Sequence, residues 1–172
     1  MFEDFAENNA ALTPENSLNV FLYGSLLPGE AHHDVLQELI DKGHAERGGT
    51  AAATGLWCAD LGLFPAAYHC SSPGVVPTLK GELYRVTGDA LNGLDRFEGI
   101  PYLFYRTRVP VTLGRESASA YCYMGRKCAA GTRQMMIVDD RLISDWTKRD
   151  VSLRVGAVWD ITAQGNPMLM VA

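Results

Sequence analysis

Hydrophobic and polar positions change rhythm several times along the chain. Leu18 to Tyr23 is apolar on both sides, with Leu18, Val20 and Leu22 on one face and Phe21 and Tyr23 on the other. That pattern predicts a strand buried on both faces. Gly24-Ser25-Leu26-Leu27-Pro28-Gly29 breaks it. Val35, Leu36, Leu39 and Ile40 then form a stripe at helical spacing, which predicts a helix over 31–42 ended by Gly43. Short β-like runs follow at 50–58 and 65–70, punctuated by Gly62, Pro65, Pro73, Gly74 and Pro77. Residues 79–86 alternate as a strand, and 89–97 read as a short helix between Gly88 and Gly99. Residues 105–113 and 117–124 read as a hairpin around Gly114-Arg115, and 136–160 fit no single pattern. Many short strands with two helices among them predict an α+β fold, a small mixed β-barrel with flanking helices.

The domain is expected over 18–160, with a flexible arm at 1–17 and a tail at 161–172. The 172 residues suit one domain with a core of its own. Met1 to Ser17 is acidic and polar, with neither the basic start nor the apolar centre of a secretory signal. No apolar run reaches the roughly 18 residues of a membrane helix. These features predict a cytoplasmic protein that does not engage a membrane.

The net charge of −5 is uneven. Residues 1–75 carry two basic and ten acidic side chains, and 76–172 carry thirteen and ten. That small surplus lacks the clustered Lys and Arg of a nucleic-acid surface, so no nucleic-acid partner is expected. It suits an anionic small molecule, whose approach a few arginines at a cleft would favour. Cys58, Cys70, Cys122 and Cys128 form no CxxC pair, and His32-His33 is the lone histidine pair. No metal site is expected from those spacings.

Two features carry candidate chemistry. On a wheel of about 100° per residue, Ala90, Leu91, Leu94 and Phe97 define the buried face of the second helix. Glu98 falls between Leu91 and Leu94, so a carboxylate points along the apolar stripe. Burial would raise its pKa towards neutrality, which suits a group that takes and returns a proton. If the helix frays at Phe97, Glu98 turns into water instead. The second feature is Tyr23-Gly24-Ser25-Leu26. A strand ending at Gly24, with Gly24 at φ > 0, would leave successive N–H groups free to hold an anion or a developing oxyanion. An ordinary strand-to-loop turn is the other reading. Arg106 and Arg108 alternate with Tyr105 and Thr107 and read as a solvated face.

Together these features resemble the gamma-glutamylcyclotransferase-like family. The pieces run in that family's order: Val20-Phe21-Leu22-Tyr23-Gly24-Ser25-Leu26, Leu61-Gly62-Leu63-Phe64-Pro65-Ala66, Gly81-Glu82-Leu83-Tyr84, Leu94-Asp95-Arg96-Phe97-Glu98-Gly99, Tyr105-Arg106, Ala120-Tyr121-Cys122-Tyr123 and Ser144-Asp145-Trp146. The stretch from Phe97 to Thr107 looks closer to the gamma-glutamylamine branch than to the glutathione-specific one. The resemblance implies a cofactor-free enzyme that releases 5-oxoproline and an amine or amino acid from a γ-glutamyl amide. It implies Glu98 as acid and base, the backbone of Tyr23, Gly24, Ser25 and Leu26 as the γ-glutamyl site, and Tyr105 and Tyr121 as lining residues. The other expectation, of a different class, is a non-catalytic module that senses a γ-glutamyl-like ligand or a protein partner.

Overall fold

The computed structural model describes residues 10–60, 65–70, 76–126, 133–137, 155–161 and 167–170. The first strand, β1 (Leu18–Leu22), lies where its two apolar faces require it, inside a sheet. It pairs antiparallel with β5 (Thr78–Val86), setting Phe21 opposite Leu83, and parallel with β7 (Glu116–Gly125), setting Phe21 opposite Cys122. From β5 the sheet continues through β2 (Ala45–Thr54) and β6 (Phe104–Leu113) and returns to β7. Because β7 also pairs with β1, these five strands close into a mixed barrel. Closure leaves β1 no free edge. A hairpin of β3 (Leu56–Asp60) and β4 (Pro65–His69) joins the sheet through Ala67, opposite Met124 of β7. A second sheet contains β8 (Arg133–Ile137), β9 (Val155–Ile161) and β10 (Pro167–Met170) in the order β10-β9-β8.

Two helices flank the barrel, α1 (His33–Asp41) and α2 (Gly88–Phe97). Thr87 caps α2: its hydroxyl accepts from the Ala90 N–H at 3.2 Å, satisfying one of the free donors of the first turn. Leu36 of α1 and Ala90, Leu91 and Leu94 of α2 are buried, as their stripes predict. No helix among the described residues is long and apolar enough to cross a membrane.

The structure corrects several local readings. The run at 50–58 is two strands, split at Gly55, whose φ of +85° is a turn conformation that L side chains rarely adopt. The first half of β2, Ala45 to Gly49, has no apolar alternation and was not expected as strand. Cross-strand ion pairs replace the missing hydrophobic signal: Glu46 meets Arg85 at 2.8 Å, and Arg47 meets Glu82 at 2.9 Å. Phe97, expected in the buried face, is 37% exposed. It lies past the part of α2 that the barrel covers, with its ring against His32, centroids 5.4 Å apart. Cys128, Leu61 to Phe64, Ser144 to Trp146 and most of the N-terminal arm lie outside the described residues.

Glu82 is a buried charge, only 4% exposed. Its carboxylate accepts from Arg47 at 2.9 and 3.2 Å and from the Tyr84 hydroxyl at 2.5 Å. Breaking a buried pair from one side costs about 3–5 kcal/mol. Arg47 is itself half exposed, so Arg47→Ala is expected to cost less, about 1–3 kcal/mol. A urea midpoint shifted by that amount at unchanged slope is the expected result. An unshifted midpoint would show that Tyr84 alone satisfies Glu82.

Candidate functional site

The end of α2 decides where Glu98 goes. Glu98 stays in the helical region, φ −76° and ψ −3°, and its N–H donates to the Leu94 carbonyl at 2.9 Å. Gly99 then turns to φ +67°. The Gly99 N–H donates to Arg96 O at 3.2 Å, and the Ile100 N–H to Asp95 O at 3.1 Å. This is the two-bond Schellman ending, in which a glycine past the cap takes the left-handed conformation. The helix therefore stops at Phe97 without fraying, and Glu98 keeps the wheel position read from the sequence. Burial pushes its carboxyl from the ordinary range up to about 7.

Three side chains feel the Glu98 charge: Tyr23, Cys122 and Tyr123. They meet where β1 leaves β7. The Tyr23 hydroxyl is locked there, donating to the Tyr123 carbonyl at 2.6 Å and accepting from the Ala67 N–H at 2.9 Å. Burial raises the pKa of Tyr23 and of the Cys122 thiol well above their ordinary ranges, so both stay neutral near pH 7. Glu98 is thus half-buried, with the neutral Tyr23, Cys122 and Tyr123 about it, and burial lets its carboxyl keep its proton to unusually high pH.

The Tyr23 to Leu26 turn follows directly. The side chains of Tyr23, Leu26 and Leu27 are buried and anchor it. Its carbonyls turn towards the start of α1. Ser25 O accepts from the His32 N–H at 2.9 Å, Leu26 O from His33 Nδ1 at 2.8 Å, and Leu27 O from the Glu30 N–H at 3.0 Å. The Leu27 N–H donates to Gly24 O at 3.1 Å. The N–H groups of Ser25 and Leu26 have no such partner among the described residues. Two adjacent donors, held by carbonyls tied behind them, can receive an anionic or carbonyl oxygen.

Gly24 is needed for a different reason from the one expected. It is not among the glycines with positive φ. A Cβ at this position would stand 3.1 Å from Cγ of Pro65, so the constraint is close approach of β4.

Tyr105 and Tyr121 do not leave the hairpin on the same side. In the β6–β7 register Tyr105 is opposite Met124 and Tyr121 is opposite Arg108, and side chains alternate faces along each strand. Tyr121 lies between two guanidinium groups, Arg106 at 4.6 Å and Arg108 at 4.5 Å. The Tyr105 ring has Arg126 at 5.5 Å, and Arg126 also donates to the Pro101 carbonyl at 2.9 Å. Arg106 is no solvated side chain: it reaches across to Asp95 on α2 at 2.6 Å. Tyr123 completes that cluster by donating to the other oxygen of Asp95 at 2.7 Å. Asp95, Arg106 and Tyr123 were not singled out from the sequence as a unit. The available signal was Asp95 at the edge of the apolar stripe, with an opposite charge eleven residues on.

Comparison with known proteins bears on this arrangement. Residues 20–147 match the family described as Gamma-glutamyl cyclotransferase, AIG2-like. A rat protein named gamma-glutamylaminecyclotransferase is 33% identical over 98 residues, 54% of this chain and 62% of the relative. An Arabidopsis thaliana protein provisionally named gamma-glutamylcyclotransferase is 32% identical over 102 residues, 59% of this chain and 54% of the relative. The matches thus span less than two thirds of either curated relative. A mouse AIG2-like protein of known crystal structure superposes with a TM-score of 0.56 at 24% identity, over 66% of this chain and 80% of that one, a likeness of fold.

Proposed function

The chain belongs to the gamma-glutamyl cyclotransferase, AIG2-like family, and we propose that it releases 5-oxoproline and an amine or amino acid from a γ-glutamyl amide. The observation that carries this reading is the Glu98 carboxyl, held at the end of α2 and pushed up to about 7 by burial. Such a group can exist in either protonation state near neutral pH.

The chemistry follows from that position. Ionised Glu98 takes a proton from the substrate's α-ammonium group. The freed amine attacks the γ-carbonyl carbon of the same residue, and the carbonyl oxygen gains negative charge. In this reading the N–H groups of Ser25 and Leu26 hold the substrate oxygen by donating to it. Collapse breaks the γ-carbon to nitrogen bond as the proton on Glu98 passes to the departing nitrogen, and the second proton of the attacking nitrogen is lost through Glu98 to the released amine, leaving a neutral lactam and an ammonium product. The nucleophile comes from the substrate, so the reaction calls for no cofactor. Holding amine and carbonyl in contact supplies much of the rate.

The substrate is read as a small γ-glutamyl compound, the site of action as the cytoplasm, and the working domain as residues 18–160. The family and the rat relative support the γ-glutamyl assignment. The test is a panel of γ-glutamyl amines and γ-glutamyl amino acids, scored for 5-oxoproline. Release from any of them supports the enzyme. Saturable binding across the panel with no product would mean a ligand-sensing module.

Gly24→Val checks the turn. Two added methyl groups must displace Pro65, which already stands at the contact limit for a Cβ. Affinity for a γ-glutamyl analogue, measured by calorimetry, is expected to fall at least about tenfold, some 1.4 kcal/mol. Parent-like affinity would remove the turn from the site.

A further inference from the structure

Glu98 is not the only carboxylate at this end of α2. Asp95 stands three residues earlier, and side chains so spaced are neighbours on a helix, with Cβ atoms about 5–6 Å apart. An uncompensated negative charge there would favour the protonated form of Glu98. The structure supplies compensation from two other elements. Arg106 of β6 donates to Asp95 Oδ2 at 2.6 Å, and the Tyr123 hydroxyl of β7 donates to Oδ1 at 2.7 Å. The two donors are direct cross-strand partners in the β6–β7 register, so one sheet position presents both. The Arg106 guanidinium is fixed from its other side by the Tyr121 ring. The ion pair is 27% and 21% exposed at its two side chains, which limits screening by solvent.

We propose that Asp95, Arg106 and Tyr123 are positioning residues that set the proton affinity of Glu98, with the Arg106 charge cancelling that of Asp95. This deepens the proposed reaction and rests on it for the kinetic consequence alone. The groups facing Glu98 or packed beside it are Tyr23 just past β1, Cys122 and Tyr123 on β7, Asp95 on α2 itself, Arg106 on β6 through its pair with Asp95, and His32 just before α1, whose ring meets Phe97. Arg126, past β7, is engaged with the Pro101 carbonyl, and Arg96 is on the exposed side of α2. Tyr23, Cys122 and Tyr123 are raised by burial and remain neutral through pH 7. Asp95 and Arg106 are left as an opposed ion pair beside Glu98. Remove either one and the other acts alone.

The experiment is a carbon-13 NMR titration of the Glu98 carboxyl in the parent, Arg106→Gln, Asp95→Asn and Arg106→Lys, with the pH dependence of kcat/KM measured alongside. Arg106→Gln exposes Glu98 to the bare Asp95 charge, and the midpoint is expected to rise by about half a pH unit or more. Asp95→Asn leaves the guanidinium unopposed, and the midpoint is expected to fall by a similar amount. Arg106→Lys keeps the charge and is expected to titrate like the parent. A merely structural role would lower the melting temperature of both variants without driving the midpoints apart. Midpoints that move in the same direction, or not at all, overturn the proposal. Should Arg106→Gln fail to fold, Asp95→Asn against Arg106→Lys decides it. If the titrations split as expected but the parent makes no 5-oxoproline, the functional reading fails and this inference stands. If the parent is active and the titrations do not split, the inference alone fails.

Discussion

Glu98→Gln is expected to lose at least about 100-fold in turnover while becoming more stable above pH 7. The loss follows from removing a general base, worth typically about 10²–10⁴ in rate. Glutamine has a similar shape and still fits the end of α2, but it can neither take the α-ammonium proton nor deliver one to the leaving nitrogen. The gain follows from proton linkage. The folded-state pKa of Glu98 is raised to about 7 by burial. Between the ordinary carboxylate range and pH 7 the folded protein therefore holds more protons than the unfolded chain, and stability falls as pH rises through that window. Above it the parent carries a poorly hydrated carboxylate that the variant lacks. Urea unfolding at pH 8 is expected to show Glu98→Gln more stable by about 1–3 kcal/mol, and the difference should shrink towards pH 4. In the parent, kcat/KM is expected to rise with pH through a limb near 7 as Glu98 ionises in the free protein. Turnover within a few-fold of the parent would remove Glu98 from the reaction. A stability difference that grew on acidification would mean the carboxylate is favourably paired in the fold.

The second large effect is an all-or-none choice of linkage. Attack of the α-amine on the γ-carbonyl closes a five-membered ring. In an α-linked glutamyl compound the amide carbonyl is next to the amine, and closure there would form a strained three-membered ring. The free side-chain carboxylate of that compound is a poor electrophile. Acetylating the α-amine of a γ-linked substrate leaves an amide nitrogen too weak to attack. Matched γ-glutamyl, α-glutamyl and N-acetyl-γ-glutamyl derivatives of one amine are therefore expected to give 5-oxoproline from the first alone. Amine released from the acetylated compound at the rate of the first would mean attack by water or by a protein nucleophile.

The elements nearest this chemistry were the most legible in the chain. In the run from Leu18 to Tyr23, Phe21 and Tyr23 on one face and Val20 and Leu22 on the other signalled a strand packed on both sides, and the barrel buries all four. The α2 stripe placed Glu98 correctly because Gly99 ends the helix cleanly, so the wheel holds one residue past the last helical hydrogen-bonded turn. What escaped was structure fixed by polar partners distant in sequence. Arg47 and Glu82 are 35 residues apart, and neither is apolar, so nothing in a hydrophobic pattern marks β2 as beginning at Ala45. Arg106 looked solvated because strand alternation says which face a side chain takes, not what a helix lays across that face. The family resemblance names Tyr105 and Tyr121 as lining residues but says nothing of their faces; the hairpin register sets them on opposite ones, and register is a property of the pairing. A glycine closing a strand suggests φ > 0, whereas the constraint on Gly24 comes from Pro65, a tertiary contact that no local pattern contains.

The origin of the nucleophile separates cyclotransfer from hydrolysis. The parent protein, incubated in oxygen-18 water with the γ-glutamyl compound it turns over best, should give 5-oxoproline without label, one molecule for each amine released. Hydrolysis by water would instead give glutamate carrying one oxygen-18 in its γ-carboxylate. Unlabelled 5-oxoproline from the parent, and almost none from Glu98→Gln, is the predicted result; labelled glutamate as the primary product would contradict it.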